Sequence, residues 1–352
     1  MGELTDTELG LLQPSELPAL AQLHEACFAR GADVLGLLRQ RYGSGPRSEV
    51  IVARTGGGVL VGAQAVTWLA GRREGRNATL GMMTMGMVHP DFRRRGLFRG
   101  LVRRAAEIGW EGGADVLFTM PNDRSAPAFA RFDDWQDGRR RRAYLLALDP
   151  GKLAGQRFGL GGLGAALGSP LRMAARWSRR PSDGLREVIE LARIGPALDA
   201  LAARVAEHSG QLLVLRDSAY ATWRYVKCPI ADYRFLVSES DDGGIDGVVV
   251  TTTQPRFGST LGFIVDILSD APAPRRKLLL RFAARTLWEQ GATAVVCVGR
   301  MDDHHAPLKK AGFIDVTAVY PRTFHTYYSA TELPSFDPEA DWYLTLADFD
   351  SV

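Results

Sequence analysis

Three consecutive arginines lie between a predicted strand and a predicted helix, in the segment VHPDFRRRGLF at residues 88–98. Pro90 ends strand pairing because proline has no N–H to donate, and Gly96 allows a tight turn at the helix start. The first turn of a helix leaves amides unpaired beside the positive end of its dipole. With the added charge of the arginines, this turn predicts a phosphate-binding site. The segment is neither a Walker A loop nor a GxGxxG motif.

The spacing within this segment indicates which phosphate-containing ligand it would bind. V-x-P-x-x-[RQ]-x-x-G-x-[GA] resembles the acetyl-CoA signature of the GNAT acyltransferases, with Val88, Pro90, Arg93 and Gly96 at its fixed positions. Downstream, PNDRSAPAFARFDDW is similar to the family's order of strand, asparagine, helix and aromatic residue, with Asn122 at the asparagine. The alternative is a solvated arginine cluster at an ordinary strand–helix junction. The full spacing favours binding of an acyl-CoA.

The resemblance covers about residues 5–148 directly and implies a fold as well as a ligand. The implied fold class is α/β, a mixed and mostly antiparallel sheet flanked by helices. In this family the strand before the turn hydrogen-bonds the pantetheine arm of the cofactor, and the turn amides hold its pyrophosphate. The implied cofactor is acetyl-CoA or another acyl-CoA, without a metal. The implied binding residues are Met87, Val88, Arg93, Arg94, Arg95, Gly96, Leu97, Phe98 and Asn122.

Three positions differ from the family pattern. Phe98 stands where a small residue is usual, and Phe129 stands seven residues after Asn122, where many members have a tyrosine general acid. The strand Leu80–Val88 also lacks the acidic residue that serves many members as a base. These differences concern the catalytic groups more than the cofactor site.

Attack of an amine on a thioester needs a base that takes the amine's proton, directly or through water. The weak catalytic candidates are Glu25 on the first helix, Tyr144 on the last strand of the first half, and Asp348 near the C-terminus. Each has an ordinary alternative: a solvated helix face for Glu25 and the adjacent His24, core packing for Tyr144, and an exposed tail for Asp348. The catalytic residues therefore stay open.

An internal duplication sets the predicted domain organisation. WEGGADVLFTM at Trp110 and WEQGATAVVCV at Trp288 match at an ungapped offset, and both are followed by a short helix and an aromatic residue. We expect two GNAT-like domains in tandem. The protein is then either a monomer in which one chain forms a pseudo-dimer, or a homodimer. The predicted N-terminal domain, with the acyl-CoA site, spans residues 1–150. A Gly/Arg-rich linker with a short basic helix follows at residues 151–185, and a degenerate C-terminal domain spans residues 186–352.

The second copy has lost the features of the turn. At the same offset Pro274 stands opposite Gly96, and Asp266 stands opposite Val88. Proline removes an amide donor, and the carboxylate brings negative charge toward a phosphate site. We predict that the second copy does not bind CoA in this way.

Composition limits the remaining function classes. The chain has 352 residues and a formal net charge of +3, which is low for a nucleic-acid-binding protein of this length. Its three cysteines are widely spaced, which suits a reducing compartment and argues against a zinc site. The N-terminus lacks the features of a secretory signal, and no apolar run is long enough to span a membrane. We expect a cytoplasmic protein without a nucleic-acid or membrane partner.

The expected function is acyl transfer, most simply of an acetyl group from acetyl-CoA to the amine of a small molecule, by direct attack in a ternary complex. The first alternative is a non-catalytic acyl-CoA sensor or scaffold, which the missing tyrosine and the missing strand acid favour. The second is an interaction protein without a ligand.

Overall fold

The structure is a computed structural model, and it describes residues 7–28, 33–149, 184–188, 190–241, 243–256, 258–299, 302–320, 324–330 and 341–349. The basic helix predicted around residues 170–180 lies outside the described residues. Among those that are described, no helix is both long enough and apolar enough to cross a membrane.

Helices and strands alternate along both halves of the chain. The helices are α1 Leu17–Cys27, α2 Val34–Gly43, α3 Leu97–Glu111, α4 Ala126–Phe129, α5 Gly195–His208, α6 Ser218–Ala221, α7 Ala273–Glu289 and α8 Asp302–Ala311. The strands are β1 Thr7–Leu11, β2 Ser48–Thr55, β3 Leu60–Arg73, β4 Arg76–Val88, β5 Val116–Thr119, β6 Gln136–Arg140, β7 Arg142–Ala147, β8 Leu185–Val188, β9 Leu213–Val214, β10 Arg234–Glu239, β11 Ile245–Arg256, β12 Ser259–Ser269, β13 Ala294–Gly299, β14 Ile314–Asp315 and β15 His325–Ala330.

Two mixed sheets form the centre of the molecule, which confirms the predicted fold class. The first has the strand order β1-β2-β3-β4-β5-β15-β6, and β9 pairs with β3 at its side. The second has the order β14-β7-β13-β12-β11-β10-β8. Each sheet contains one parallel pair, β4 with β5 and β12 with β13, among antiparallel neighbours.

The two halves of the chain exchange a strand. β15, from the second half, lies between β5 and β6 in the first sheet and is antiparallel to both. β7, from the first half, lies between β13 and β14 in the second sheet. Each sheet is therefore completed by a strand from the other half. The boundaries at residues 150 and 186 stay a prediction, because a sheet-based division of the chain is discontinuous in sequence.

The helix that follows the arginine turn shows why these residues fold as they do. α3 buries one apolar stripe, in which Leu97, Leu101 and Ala105 pack on the first sheet. The opposite face is charged, and Arg103 and Arg104 both pair with Glu107 on it. Such a pattern, with apolar residues three and four positions apart, stabilises a helix mainly through the burial of its apolar face.

The elements predicted from periodicity are present with small changes in length. The first helix is predicted over Gln13–Phe28, and the α-helical part is α1, preceded by a 3-10 turn at Pro14–Glu16. The predicted hairpin and the strand before the turn correspond to β2, β3 and β4. The prediction omitted β1, α2 and β6. β6 reads QDGRR and is mostly exposed, so it has no apolar alternation that could reveal it.

The strand exchange makes a prediction about the two halves when they are produced separately. Residues 1–150 alone lack β15, so β5 and β6 lose the strand between them, and residues 184–352 alone lack β7. We expect neither half to show a cooperative thermal unfolding transition alone. Produced together they should copurify and unfold as one unit, with the intact chain as the reference. Cooperative unfolding of an isolated, monomeric first half would contradict this.

Candidate active site

A gap opens in the first sheet where its two parallel strands separate. β4 and β5 pair only from Leu80 with Val116 to Met83 with Thr119. β5 ends at Thr119, and Pro121 follows shortly after it. Because proline has no N–H to donate, the chain beyond Thr119 does not extend the pairing with β4. The last residues of β4 continue without this partner. We call the space beyond Met83 and Thr119 the first gap.

A β-bulge turns β4 at the edge of the first gap. The ladder between β3 and β4 shifts between Ala63 and Ala65, and Met85 has a left-handed φ of 58°. The buried Gln64 side chain donates a hydrogen bond of 2.7 Å to the Thr84 carbonyl and so fixes the bulge. A Cβ at Gly86 would lie 2.7 Å from the Gln64 Oε1 atom, so this position accepts glycine best.

The arginine turn has the backbone geometry of an anion-binding site. Arg94 and Gly96 have left-handed φ values of 64° and 80°, and these two residues alternate with Arg93 and Arg95, which have negative φ. Such alternation points successive amides into one concavity. Arg93, Arg94, Arg95 and Gly96 are exposed, whereas Leu97 is buried as the first residue of α3.

The arginine side chains help to fix the turn. Arg93 Nε donates a 3.1 Å hydrogen bond to the Val88 carbonyl at the end of β4. Arg95 Nη2 donates to the Asp91 carbonyl at 2.9 Å, and its guanidinium lies 5.0 Å from the centre of the Phe92 ring. The cluster is therefore partly structural and still presents three exposed positive charges at one helix start.

A cleft of about 230 Å³ leads from this turn into the first gap. It brings together five of the nine residues predicted to bind the cofactor, namely Met87, Val88, Arg93, Phe98 and Asn122. The other lining residues are Cys27, Phe28, Gly86, Arg124, Ser125 and Ala128. Arg94, Arg95, Gly96 and Leu97 lie on the adjacent turn and do not line the cleft. We call it the turn cleft.

A second cavity of about 200 Å³ adjoins the turn cleft. We call it the inner cavity. Five residues line both spaces: Phe28, Gly86, Phe98, Asn122 and Ser125. The remaining lining residues are His24, Gln64, Met82, Met83, Thr84, Met85, Thr119, Met120, Pro121, Phe129 and Asp348. A molecule that enters at the arginine turn can therefore extend into a mostly apolar chamber with few ionisable groups.

Asp348 reaches the inner cavity from the C-terminal end of the chain. Its side chain is fully buried, so the exposed-tail alternative for this residue is wrong. The Oδ2 atom accepts hydrogen bonds from Arg216 Nη2 at 2.5 Å and from the Thr345 amide at 2.9 Å. The Oδ1 atom is buried and has no hydrogen-bond partner among the described residues. Burial raises the pKa of Asp348 above its usual 3.8, although Arg216 opposes this shift.

His24 is the second ionisable residue of the inner cavity. Its Nδ1 atom is buried without a hydrogen-bond partner among the described residues, and its ring packs on Phe28 at 4.8 Å between centres. Burial, and then the charge of Arg41, lower the pKa of His24. The imidazole is thus neutral at neutral pH. The sequence suggested a solvated helix face for His24 and Glu25, and this holds only for Glu25.

The other candidate catalytic residues lie away from the inner cavity. Glu25 is exposed on α1 and does not line it. Tyr144 is fully buried in the core of the second sheet, on the exchanged strand β7, and burial raises the pKa of its phenol. Phe129 lines the cavity but has no hydroxyl, and it stacks on Tyr327 of β15 at 5.8 Å between ring centres. Among the described residues, no three His, Cys, Asp or Glu side chains come together as a metal site.

A comparison with protein families matches the part of the chain that forms most of the first sheet. The model of the acetyltransferase (GNAT) domain matches residues 8–138. Residues 8–138 form a GNAT domain. The turn cleft lies at the arginine turn of this domain, and the inner cavity adjoins that cleft. The GNAT domain indicates an acyltransferase enzyme. No curated protein matches the chain.

Solved structures resemble the whole chain in fold. The N-myristoyltransferase of Saccharomyces cerevisiae with bound myristoyl-CoA has a TM-score of 0.62 at 12% identity, covering 94% of this chain and 84% of that one. A GCN5-related N-acetyltransferase from Anabaena variabilis has a TM-score of 0.65 at 11% identity, covering 92% and 72%. A protein of unknown function from Enterococcus faecalis, described as a probable N-acyltransferase, has a TM-score of 0.63 at 11% identity, covering 94% and 74%. The arrangement of two sheets is thus shared with GNAT-fold proteins.

The left-handed backbone at Gly96 predicts a measurable cost of substitution. A Cβ at Gly96 would meet no atom within 4 Å, so Gly96→Ala changes only the backbone preference. We expect a loss of about 1 kcal/mol in the free energy of unfolding, measured by urea denaturation, together with weaker acyl-CoA binding. Gly43→Ala is the matched control, because Gly43 ends a helix and its Cβ would also be unobstructed. Equal stability of the two variants would refute the claim that the turn needs glycine.

Proposed function

We propose that this protein transfers an acyl group from an acyl-CoA to an amine, with Asp348 as the base that takes the proton of the amine. Two observations carry the proposal: Asp348 lies in the wall of the inner cavity, and its buried Oδ1 atom has no hydrogen-bond partner among the described residues. The inner cavity adjoins the turn cleft of the GNAT domain and shares five lining residues with it. Acetyl-CoA is the first donor to test, and a small-molecule amine is the proposed acceptor.

The turn cleft supports the binding step. The pyrophosphate of CoA would lie against the turn amides and arginines, and the pantetheine arm would pair with the free edge of β4 at Met87 and Val88. This placement brings the thioester to the boundary between the two spaces, which Gly86, Phe98 and Ser125 line. Backbone amides of β4 would polarise the thioester carbonyl there. Much of the rate acceleration would come from holding amine and thioester together.

The inner cavity supports the chemical step. A carboxylate with a raised pKa accepts a proton better than an ordinary aspartate, and a free oxygen is available to do so. The nitrogen attacks the thioester carbonyl carbon, its proton passes to Asp348 Oδ1, and the C–S bond breaks to release the CoA thiolate. Since Phe129 has no hydroxyl, the thiolate takes its proton from water. The products are an amide and CoA.

The first test separates binding from chemistry. We expect acetyl-CoA, or a longer acyl-CoA, to bind in calorimetric titration with one site per chain. In a screen of amines that follows thiol release, Asp348→Asn should lower kcat by about 100-fold, because a positioned base contributes at least that much. The affinity for acyl-CoA should not change. Glu25→Gln, on the exposed side of α1, should keep full activity.

Two results would count against this proposal. If acyl-CoA binds but no amine accelerates thiol release, the protein is the acyl-CoA sensor that Phe129 and the missing strand acid favour. If Asp348→Asn retains full kcat while Glu25→Gln or His24→Gln loses it, the base is another residue. His24 is the nearest competitor, since it is neutral and also faces the inner cavity.

The raised pKa of Asp348 predicts the acid side of the pH profile. A base must be deprotonated to act, so kcat/KM should fall as the pH falls through the pKa of Asp348 in the free enzyme. Because burial raises this pKa above 3.8, the fall should begin at a higher pH than for an exposed aspartate. The profile is best measured with a weakly basic amine, whose own protonation then lies at lower pH. A rate that stays constant down to the ordinary aspartate range would contradict the assignment.

A further inference from the structure

The second sheet contains a counterpart of the first gap. β12 and β13 are parallel and pair only from Leu261 with Ala294 to Ile264 with Cys297. Beyond these pairs they separate, and a bulge shifts the ladder of β12 with β11, as one does for β4 with β3. We call this space the second gap. The second half of the chain has thus kept the geometry that opens the cofactor cleft in the first half.

Asp266 stands at the start of the second gap. It forms the first ladder pair after the bulge, with Val250, as Met87 does with Ala63 in the first sheet. An acidic side chain occupies the place at which the first half is proposed to bind pantetheine.

The chain's own C-terminal segment, residues 341–349, occupies the second gap. Thr345 forms an isolated bridge with Gly299 at the end of β13, and the Tyr343 hydroxyl donates a hydrogen bond to the Ile267 carbonyl on β12. A Cβ at Gly299 would lie 2.9 Å from the Leu344 carbonyl, which shows how closely the segment approaches. The segment lies where the cofactor would lie by analogy with the first sheet. Near its end, Asp348 lies in the wall of the inner cavity.

A buried polar network ties this segment to Asp266. The Oδ1 atom of Asp266 accepts hydrogen bonds from Thr345 Oγ1 at 2.8 Å and from the Ile267 amide at 3.0 Å. Its Oδ2 atom accepts from the Tyr225 hydroxyl at 2.7 Å and from Arg216 Nε at 3.2 Å. Asp266 thus has a full set of donors, whereas Asp348 has donors on one oxygen only.

Arg216 connects the two carboxylates. Its Nε atom faces Asp266 and its Nη2 atom faces Asp348. The guanidinium also donates to the Val214 carbonyl at 2.9 Å and lies over the rings of Tyr220 and Tyr343, at 5.3 and 5.8 Å from their centres. A planar guanidinium with several fixed donors can hold two carboxylates in set directions, which a lysine cannot do.

Arg224 fixes the backbone on both sides of Asp348. It donates hydrogen bonds to the Ala347 carbonyl at 3.0 Å and to the Phe349 carbonyl at 2.8 Å. The side chain of Asp348 and its neighbouring peptide groups are therefore held independently.

We propose that Arg216, anchored by Asp266, is a positioning residue that aims Asp348 into the inner cavity, and that the second gap has become the seat of the C-terminal segment that carries Asp348. This inference rests on the proposed function for its catalytic meaning. It assigns the degenerate half a role in the reaction: the space that holds a cofactor in the first sheet holds a catalytic group in the second.

The charges of the network explain how it would tune Asp348. One guanidinium, that of Arg216, contacts both buried carboxylates, and such a pair shares its titration. Burial raises the pKa of Asp348, and the nearby Asp266 carboxylate adds to this shift while Arg216 opposes it. The ionisable groups around the Asp348 side chain are Arg216, Asp266, Tyr220 and Tyr343, with Arg224 on the adjacent carbonyls and His24 in the wall of the same cavity.

The test is a titration of Asp348 itself in the full chain, which requires neither acceptor nor turnover. Aspartate labelled with ¹³C at the carboxyl carbon gives a shift for each residue, and the Asp348→Asn variant identifies the Asp348 signal. Asp266→Asn removes a negative charge and should lower the titration midpoint of Asp348 by about one pH unit. Arg216→Met removes the positive charge and should raise it by about the same amount.

A matched control and a milder variant complete this design. Asp270→Asn removes a carboxylate that pairs with Arg204 at 2.6 Å outside the network, and it should leave the Asp348 midpoint unchanged. Tyr225→Phe removes one hydroxyl and is the variant to use if the charge variants do not fold. The hydrogen bond from this hydroxyl stabilises the ionised carboxylate of Asp266. Without it the Asp348 midpoint should fall, but by less than in Asp266→Asn.

Shifts of the Asp348 midpoint in opposite directions in Asp266→Asn and Arg216→Met support the inference. Loss of packing alone would not shift the midpoint down in one variant and up in the other. Shifts in one direction, or none in folded variants including Tyr225→Phe, overturn it. Rates of thiol release from acyl-CoA then separate the two proposals. If the acid limb of the rate follows the titration, both stand; if the titration shifts as expected but the rate does not follow, Arg216 positions Asp348 and the base is a different residue.

Discussion

The exchange of β7 and β15 between the two sheets is the constraint on which the rest of the structure depends. With each sheet completed by a strand from the other half, the halves cannot move apart without loss of backbone hydrogen bonds in both sheets. The C-terminal segment is seated in the second sheet, and Trp342 within it packs against Phe118 of the first sheet at 5.3 Å between ring centres. This fixed relation allows a residue near the C-terminus to form the wall of a cavity in the N-terminal GNAT domain.

Local patterns in the sequence predict the first sheet well. The arginine turn, α3 and the strands around them follow from the positions of proline, glycine and apolar residues. These residues determine the structure of the backbone only a few positions away. Periodicity could not show that β7 and β15 would leave their own halves, since a strand that pairs in either sheet has the same alternation. The duplication correctly predicts two similar sheets, and a duplicated pair of sheets is the kind that can exchange equivalent strands.

The candidate site was predictable only on its cofactor side. Met87, Val88 and Arg93 lie on one short segment, so their spacing alone indicates that they act together. Asp348 lies about 260 residues further along the chain, and its neighbours in sequence, ADFD, resemble an exposed acidic end. Burial of this carboxylate depends on Arg216 and Arg224, two cations in segments that carry no motif. Only the folded chain brings these distant groups into one network.

The buried network is hard to explain as a contribution to stability. A buried ion pair often contributes no more than well-packed apolar residues of the same volume, because the loss of hydration offsets the attraction between the charges. Here the imbalance is larger, since two carboxylates share one guanidinium and an oxygen of Asp348 lacks a hydrogen bond. An unsatisfied buried oxygen costs free energy unless a ligand satisfies it. Asp348 lies in the wall of the inner cavity, next to the cleft proposed to bind acyl-CoA. An amine bound there would supply the missing donor, and the same interaction would place its nitrogen beside the thioester.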